Sequence, residues 1–242
     1  MSSFGIVVPA LNEAPNLQRL RRHLGSLDPQ PDRILLVDGG SEDGTYERAR
    51  ELGFDVVRTE RPGRGRQINR GVEAIGTDLV LVLHADTLLP DDACAVVTRA
   101  LSDPKVSLTG FTALLTGPQR TRWFTSLHNW AKTWYAPLLF RPHLFLRGCR
   151  LLFGDHAMAF RRQDFLEVGG CEDGMMVMED ADLCVKLTAK GRVRLIDRVV
   201  QTSDRRVAAW GGLKANWIYL HVGIRWGLGM RKRLGRSYPD VR

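Results

Sequence analysis

The stretch Asp78-Leu79-Val80-Leu81-Val82-Leu83-His84-Ala85-Asp86-Thr87 limits the fold of this chain more than any other. Its apolar run, Leu79 to Leu83, has no polar interruption and suits a strand covered on both faces, the usual state of a central parallel strand. The ionisable His84 and Asp86 follow at its carboxyl end. In open α/β sheets ligands bind along that edge, and alternate residues leaving a strand project to one side. A carboxylate there can hold a hard cation, and the cation can hold a diphosphate.

The preceding residues repeat the rhythm of βαβ units on a mostly parallel sheet. A first strand, Phe4 to Val8, ends in the turn Pro9-Ala10-Leu11-Asn12-Glu13. A helix from about Pro15 has Leu17, Leu20, Leu24 and Leu27 on one face and Arg19, Arg21 and Arg22 outside. The second strand, Arg33 to Val37, runs into Asp38-Gly39-Gly40-Ser41-Glu42-Asp43-Gly44-Thr45. A helix ends at Gly53, and Phe54 to Arg58 makes a third strand. After Arg64-Gly65-Arg66 another helix points Ile68, Val72 and Ile75 inward.

Beyond Pro90 the pattern loosens. It predicts a helix from Asp91 to Leu101 and a strand or bent pair from Val106 to Leu115. An aromatic-rich region follows from Trp123 to Phe153, then a strand from Leu151 to Phe160 interrupted at Gly154-Asp155. A helix begins near Glu179, Val193 to Ile196 reads as strand, and the tail from Trp210 reads as an aromatic, basic helix. This divides the chain into a main α/β domain, residues 1–204, and a C-terminal helical extension, residues 205–242.

With 242 residues, 44% apolar and 26% charged, the chain has an ordinary globular composition and can bury a sizeable core. Cys94, Cys149, Cys171 and Cys184 are widely spaced and form no CxxC pair, which fits reduced thiols in a cytosolic protein. Met1 leads into the first strand without a basic flank or long apolar segment, so no signal peptide is expected. The most apolar late stretch, Trp217 to Met230, is broken by His221 and Arg225, and a spanning helix needs about 20 apolar residues. The net charge of +8 favours an anionic partner, whether nucleic acid, anionic lipid or a phosphorylated substrate.

Turns after the first, second and fourth strands bring Asn12 with Glu13, Asp38, and Asp86 toward one edge, and Arg64 and Arg66 follow the third. Together they supply acceptors for a base or ribose, cations for phosphate and a metal ligand, as a nucleoside diphosphate site requires. Each also has a plainer reading. Asn12 and Glu13 can cap the next helix, Asp38-Gly39-Gly40-Ser41 can be a turn and N-cap, and both arginines can be solvated surface. No GxGxxG opens the first helix, which argues against a dinucleotide dehydrogenase.

Five segments occur in the order seen in family 2 glycosyltransferases. They are Pro9-Ala10-Leu11-Asn12-Glu13, Val37 to Thr45, Gly63-Arg64-Gly65-Arg66-Gln67-Ile68-Asn69, Leu83-His84-Ala85-Asp86-Thr87 and Met178-Glu179-Asp180. From residue 4 to about 204 the chain resembles their GT-A fold, a mostly parallel central sheet flanked by helices. It is similar to a small bacterial subgroup with an HAD-type metal motif, some of whose members are assigned to arsenosugar biosynthesis.

The resemblance implies inverting transfer of a sugar from a nucleoside diphosphate sugar, UDP- or GDP-linked, to an acceptor hydroxyl. On that basis Pro9, Ala10 and Glu13 line base and ribose, Asp38 accepts a hydrogen bond from the base, and Asn12, Gly39, Arg66 and His84 complete the nucleotide site. Asp86 matches the last aspartate of the DxD motif, which binds Mn²⁺ or Mg²⁺ bridging the diphosphate. The first position of that motif is His84, and imidazole suits Mn²⁺ better than Mg²⁺. Asp180 matches the family's general base, and Asp155 and Glu179 are assigned to the acceptor. Gly154-Asp155-His156-Ala157 resembles the subgroup's GDQ-like segment with His156 in place of glutamine. Arg205, Arg206 and Trp210 are similar in type, not in spacing, to residues of processive relatives.

Glu179, Asp180 and Asp182 also suit the first turn of a helix, whose dipole would lower the pKa of Asp180. Trp217, Tyr219, Arg225, Trp226, Arg231, Lys232 and Arg233 either pack a final helix onto the domain or meet an anionic bilayer at the inner face of the cell membrane, which would suit a lipid-linked acceptor. A small molecule or a glycan are the other acceptor classes. A retaining glycosyltransferase, a nucleotidyltransferase and a basic nucleic-acid-binding or lipid-surface protein are the competing readings. The nucleotidyltransferase would need a glycine-rich basic loop after the first strand. No nucleic-acid motif is present, and strand-end carboxylates repel phosphate when no metal is bound.

Overall fold

The computed structural model describes residues 2–175 and 177–230. The elements run β1 (Phe4–Ala10), α1 (Ala14–Leu24), β2 (Arg33–Asp38), α2 (Thr45–Glu51), β3 (Asp55–Arg58), α3 (Arg64–Ile75), β4 (Leu79–Val82), β5 (Thr87–Leu88), α4 (Ala93–Leu101) and β6 (Val106–Thr116). Then come α5 (Trp123–Phe140), α6 (Pro142–Leu146), β7 (Ala159–Arg161), α7 (Arg162–Glu167), α8 (Glu179–Leu187), β8 (Arg192–Ser203), α9 (Arg205–Trp210) and α10 (Gly212–Gly227).

One sheet has the order β3-β2-β1-β4-β7-β6-β8-β5. The first four pair in parallel, β7 is antiparallel to β4 and β6, and β5 is antiparallel to β8. The chain leaves β1 to build β2 and β3 on one side and returns to add β4 on the other. The carboxyl ends of β1 and β4 therefore flank the point where strand order reverses, the usual ligand crevice of such sheets.

The apolar run of β4 is buried throughout, as its sequence requires. Leu79 and Leu81 enter one core with Ile6 and Val8 of β1, beneath Leu17, Leu20 and Leu24 of α1. Val80 and Val82 enter the opposite core with Val7, beneath Ile68, Val72 and Ile75 of α3. Each large aliphatic side chain buried this way contributes roughly 1.5–3 kcal/mol. Helix α3 lies close on the sheet because Gly71 has no side chain: a Cβ there would stand 2.3 Å from Val7 Cγ1 and 3.0 Å from Val37 Cγ2. Gly71→Ala is expected to cost about 1–3 kcal/mol through overpacking, read as a lower denaturation midpoint with unchanged slope.

The second half departs from the sequence pattern in three places. Leu151 to Phe160 is not a strand: a 3₁₀ turn occupies Gly154–His156 and only Ala159–Arg161 joins the sheet. His156 holds that turn, its Nδ1 2.7 Å from the Phe111 carbonyl oxygen and its Nε2 3.3 Å from Asn129 Nδ2. The strand expected from Val193 to Ile196 extends over Arg192–Ser203, because β8 follows β6 across two bulges. The tail forms two helices, broken at Gly211, whose φ is +80°. Arg231, Lys232 and Arg233 lie outside the described residues.

Candidate active site

The crevice at the strand ends is a cleft of about 740 Å³, open to solvent, with Pro9, Glu13, His84 and Asp86 in its lining. Arg64 and Asp155, also singled out from sequence, line it with them. Arg205, at the start of α9, closes it. Its guanidinium donates to both Glu13 oxygens, at 2.5 and 3.2 Å, and its Nε lies 3.3 Å from Asp86 Oδ2. Burial pushes the Asp86 carboxyl above its usual range, against the pull of Arg205. His84 is driven down to about 3 by burial and by Arg64, so its imidazole is neutral at pH 7. Its Nε2 is buried without a hydrogen-bond partner.

A second cleft of about 760 Å³ adjoins the first and shares Arg64, Asp155, Arg206 and Tyr219 with it. Asp180, in the first turn of α8, faces this second space. The Gly154 N–H donates to Asp180 Oδ2 at 2.7 Å, and Arg64 Nη1 lies 3.8 Å from the same oxygen and 3.2 Å from Glu179 Oε1. The dipole of α8 was expected to lower the pKa of Asp180, and the structure reverses this. Burial, reinforced by the neighbouring Glu179, raises it to about 7 in spite of Arg64 and the Gly154 N–H. Desolvation of a nearly enclosed carboxylate outweighs a dipole effect worth at most about 2 kcal/mol.

Asp155 sits where the two clefts meet, with Oδ1 4.0 Å from His84 Nδ1. Burial acts to raise its pKa, but His84, Arg206 and Arg64 overcome this and hold it below the usual carboxylate range. Gly154 fits between the two halves because it lacks a Cβ, which would stand 2.3 Å from His84 Cε1 and 3.0 Å from Asp180 Oδ2. Gly154→Val is expected to separate His84 from Asp180 and to cut turnover at least tenfold, checked by steady-state kinetics beside a thermal melt.

Other singled-out residues lie elsewhere. Asp38 is fully buried, accepts from Arg58 Nε at 2.8 Å and from the Ser41 N–H at 3.1 Å, and organises its own turn. Asn12, with φ +55°, accepts from the Glu42 N–H at 3.0 Å, and the Gly39 N–H donates to the Ala10 carbonyl at 2.9 Å. These residues shape the loops behind the cleft. Arg66 pairs with Asp173 at 2.5 Å and lines a separate surface groove, whereas Arg64, two residues earlier and so roughly 200° around the helix, faces the clefts.

Lys132 escaped the sequence reading. It lines the second cleft with Nζ 3.7 Å from the centroid of the Phe153 ring, and burial lowers its pKa to about 8. Its signal was available: the polar and small residues Thr125, Ser126, Asn129, Thr133 and Ala136 mark one side of an otherwise aromatic helix, and Lys132 stands beside them.

Among the described residues no three His, Cys, Asp or Glu side chains converge as a metal site. Asp86 offers a carboxylate from the end of β4, facing a cleft that Glu13 and Asp155 also line and whose rim holds Arg64, Arg205 and Arg206. That donor set fits a hard cation bound jointly with a diphosphate, as with Mg²⁺ sites built from one or two carboxylates and substrate phosphates.

The profile of Glycosyl transferase family 2 matches residues 5–170. Succinoglycan biosynthesis protein ExoA of Rhizobium meliloti is 31% identical over 206 residues, which cover 80% of this chain and 60% of that protein. Glucosyl-3-phosphoglycerate synthase of Mycobacterium tuberculosis is 31% identical over 97 residues, 36% of this chain and 30% of that one. The chain thus spans less than two thirds of the length of these relatives. Mannosyltransferase PcManGT from Pyrobaculum calidifontis, solved with GDP-Man and Mn²⁺, superposes with a TM-score of 0.68 at 20% identity, covering 100% of this chain and 66% of that one. The Mycobacterium tuberculosis synthase solved with Mn²⁺, UDP and glucosyl-3-phosphoglycerate gives 0.61 at 19% identity over 99% of this chain and 81% of that one. The fold is that of GT-A glycosyltransferases, and with the profile matched over more than half its length this chain belongs to glycosyl transferase family 2.

Proposed function

We propose that the chain transfers a sugar with inversion from a UDP- or GDP-linked donor to an acceptor hydroxyl. The observation that carries this is the split site: Asp86 with three arginines faces one cleft, and Asp180, poised near pH 7, faces the adjoining one. In this reading the donor diphosphate lies against Arg64, Arg205 and Arg206, with Pro9 and Glu13 toward the nucleoside. A divalent cation bound by Asp86 and the diphosphate would offset the charge on the leaving group.

Asp180 takes the acceptor proton as the hydroxyl oxygen bonds to the anomeric carbon and the bond from that carbon to the phosphate oxygen breaks. Glu179 keeps Arg64 in place, and Asp155 orients the acceptor at the junction of the clefts. Lys132 adds a positive charge on the acceptor side. The likeness to the HAD-type subgroup rests on His84-Ala85-Asp86, where a neutral His84 can donate to or accept from the donor.

The test is calorimetric titration of UDP and GDP, each with and without Mn²⁺, followed by NMR of the product anomer with the donor that binds. Metal-enhanced binding of one nucleotide and an inverted anomer are expected. A retained anomer would remove Asp180 from the base role and leave the family assignment standing. No binding of either nucleotide would overturn the donor reading.

A further inference from the structure

Helix α5 carries its polarity the wrong way round for a helix packed on a domain. Thr125, Ser126, Asn129 and Thr133 are buried, whereas Trp123, Leu127, Trp130, Trp134 and Leu138 are exposed. The exposed five recur at steps of four, three, four and four residues, which is one stripe of a 3.6-residue helix. The sequence from Leu213 to Leu228 repeats those steps with Leu213, Trp217, Leu220, Ile224 and Leu228, all exposed, opposite the buried Ala215, Val222 and Trp226. Trp123 is 71% and Trp217 67% exposed.

The two helices lie side by side. Asn216 Oδ1 is 2.8 Å from His128 Nδ1, Asn216 Nδ2 donates to Thr125 Oγ1 at 3.1 Å, and Arg141 donates to the Gly227 carbonyl at 3.1 Å. Each buries its other face on the same body, so the stripes run together on the outside. A contiguous apolar surface of this kind marks an interaction site.

Charge selects the occupant. Lys132, Arg205 and Arg206 face the clefts and Arg122 pairs with Asp204, so they are not part of the surface charge. Beside the two stripes Arg120, Arg147 and Lys214 are exposed, and residues 118–153 and 205–230 contain no Asp or Glu. A second copy seated here would set these charges against themselves. An anionic bilayer complements them.

A third observation ties the face to the site. An apolar crevice of about 330 Å³ runs between α5 and α10, past Tyr135, Phe140 and Trp226. It meets the Asp180 cleft at Lys132, Phe153, Met178 and Tyr219 and reaches Leu220 of the outer stripe.

We infer that α5 and α10 seat the chain on the surface of an anionic lipid bilayer, and that the crevice between them admits the hydrocarbon of a lipid-linked acceptor toward Asp180. The second half of this inference rests on the glycosyl-transfer reading. No helix of the described residues is long and apolar enough to cross a membrane, so the contact is interfacial, with the stripe buried about 5–10 Å at the headgroup boundary.

Flotation of the full chain with vesicles tests it. Binding to an equimolar phosphatidylcholine–phosphatidylglycerol mixture is expected to exceed binding to phosphatidylcholine alone by roughly tenfold and to weaken with salt, with tryptophan emission quenched by brominated acyl chains. The double variant Trp123→Glu, Trp217→Glu is expected to lose vesicle binding by roughly tenfold or more while binding nucleotide and Mn²⁺ as the parent does in vesicle-free solution. Equal flotation of parent and variant, no flotation of the parent, or a stable dimer that the variant dissociates would each overturn the bilayer. For the crevice the probe is dodecyl maltoside below its micelle concentration. A Cβ at Gly223 meets no atom within 4 Å, so Gly223→Leu can fill the space without disturbing the fold. The probe is expected to bind the parent and not this variant, and equal binding to both would overturn the crevice route. Nucleotide binding without vesicles reports on the glycosyl-transfer reading alone, so the two failures are distinguishable.

Discussion

Asp180→Asn is expected to lower kcat by roughly a thousandfold while leaving nucleotide binding within about threefold of the parent. The amide keeps the size of the side chain and can still accept the Gly154 N–H through its oxygen, so the turn at Gly154–His156 has no reason to move. What it loses is the capacity to take a proton, and a positioned general base contributes about 10²–10⁴ in rate. Asp180 lines the second cleft and Asp86 the first, so the donor side should register the change weakly.

The pH dependence gives this prediction a second reading. Burial and Glu179 raise the Asp180 carboxyl to about 7, so it is protonated and inactive as a base below that value. Activity should therefore climb as pH rises from 6 to 8, and the residual activity of Asp180→Asn should lack that limb. Stability moves the other way. A carboxyl whose folded pKa lies above its unfolded one favours the folded state at low pH, and that contribution is lost as pH rises through about 7. Asp180→Asn should then melt at a higher temperature than the parent at pH 8, with the difference shrinking toward pH 4. A variant less active and more stable is the mark of a buried carboxylate kept for chemistry. Equal loss of both properties would indicate a structural role.

How far the sequence carried the fold follows from where the physics was local. In β1, β2 and β4 an uninterrupted apolar run needs only burial on both faces, and each forms as its sequence requires. Pro9, Glu13, His84 and Asp86 converge because the switch in strand order brings their turns together. Arg205 was marked in the sequence only by a likeness in type to residues of processive relatives, and its contact with Glu13, 192 positions away, depends on α9 folding back over the crevice. Asp38 shows a limit of another kind. Its position at a strand end suits a ligand and suits a turn equally, and Arg58 and its own turn amides bind it, so position in the sequence does not separate the two roles. Leu151 to Phe160 misled because its apolar residues are buried by α8 and α5 rather than by strand neighbours, and period alone cannot separate those causes.

Asp86→Ala is expected to abolish the coupling between divalent metal and nucleotide, and to reduce kcat/KM by roughly a hundredfold or more. The described residues hold no triad of ligands, so Mn²⁺ alone should bind the parent weakly, and a nucleoside diphosphate should tighten it by completing the coordination. Linkage requires that Mn²⁺ tighten the nucleotide by the same factor, which paired calorimetric titrations measure directly. In Asp86→Ala that factor should fall to about one. The fold should persist, because Arg205 remains held by Glu13 and a buried carboxylate with a raised pKa has been removed. Arg205→Ala separates the contributions further: it leaves Asp86 without its 3.3 Å cationic neighbour, so metal should bind more tightly in the absence of nucleotide and nucleotide less tightly in the absence of metal. If nucleotide binding to the parent proves independent of Mn²⁺ and untouched in Asp86→Ala, the diphosphate is held by Arg64, Arg205 and Arg206, and Asp86 serves to position Arg205 against it.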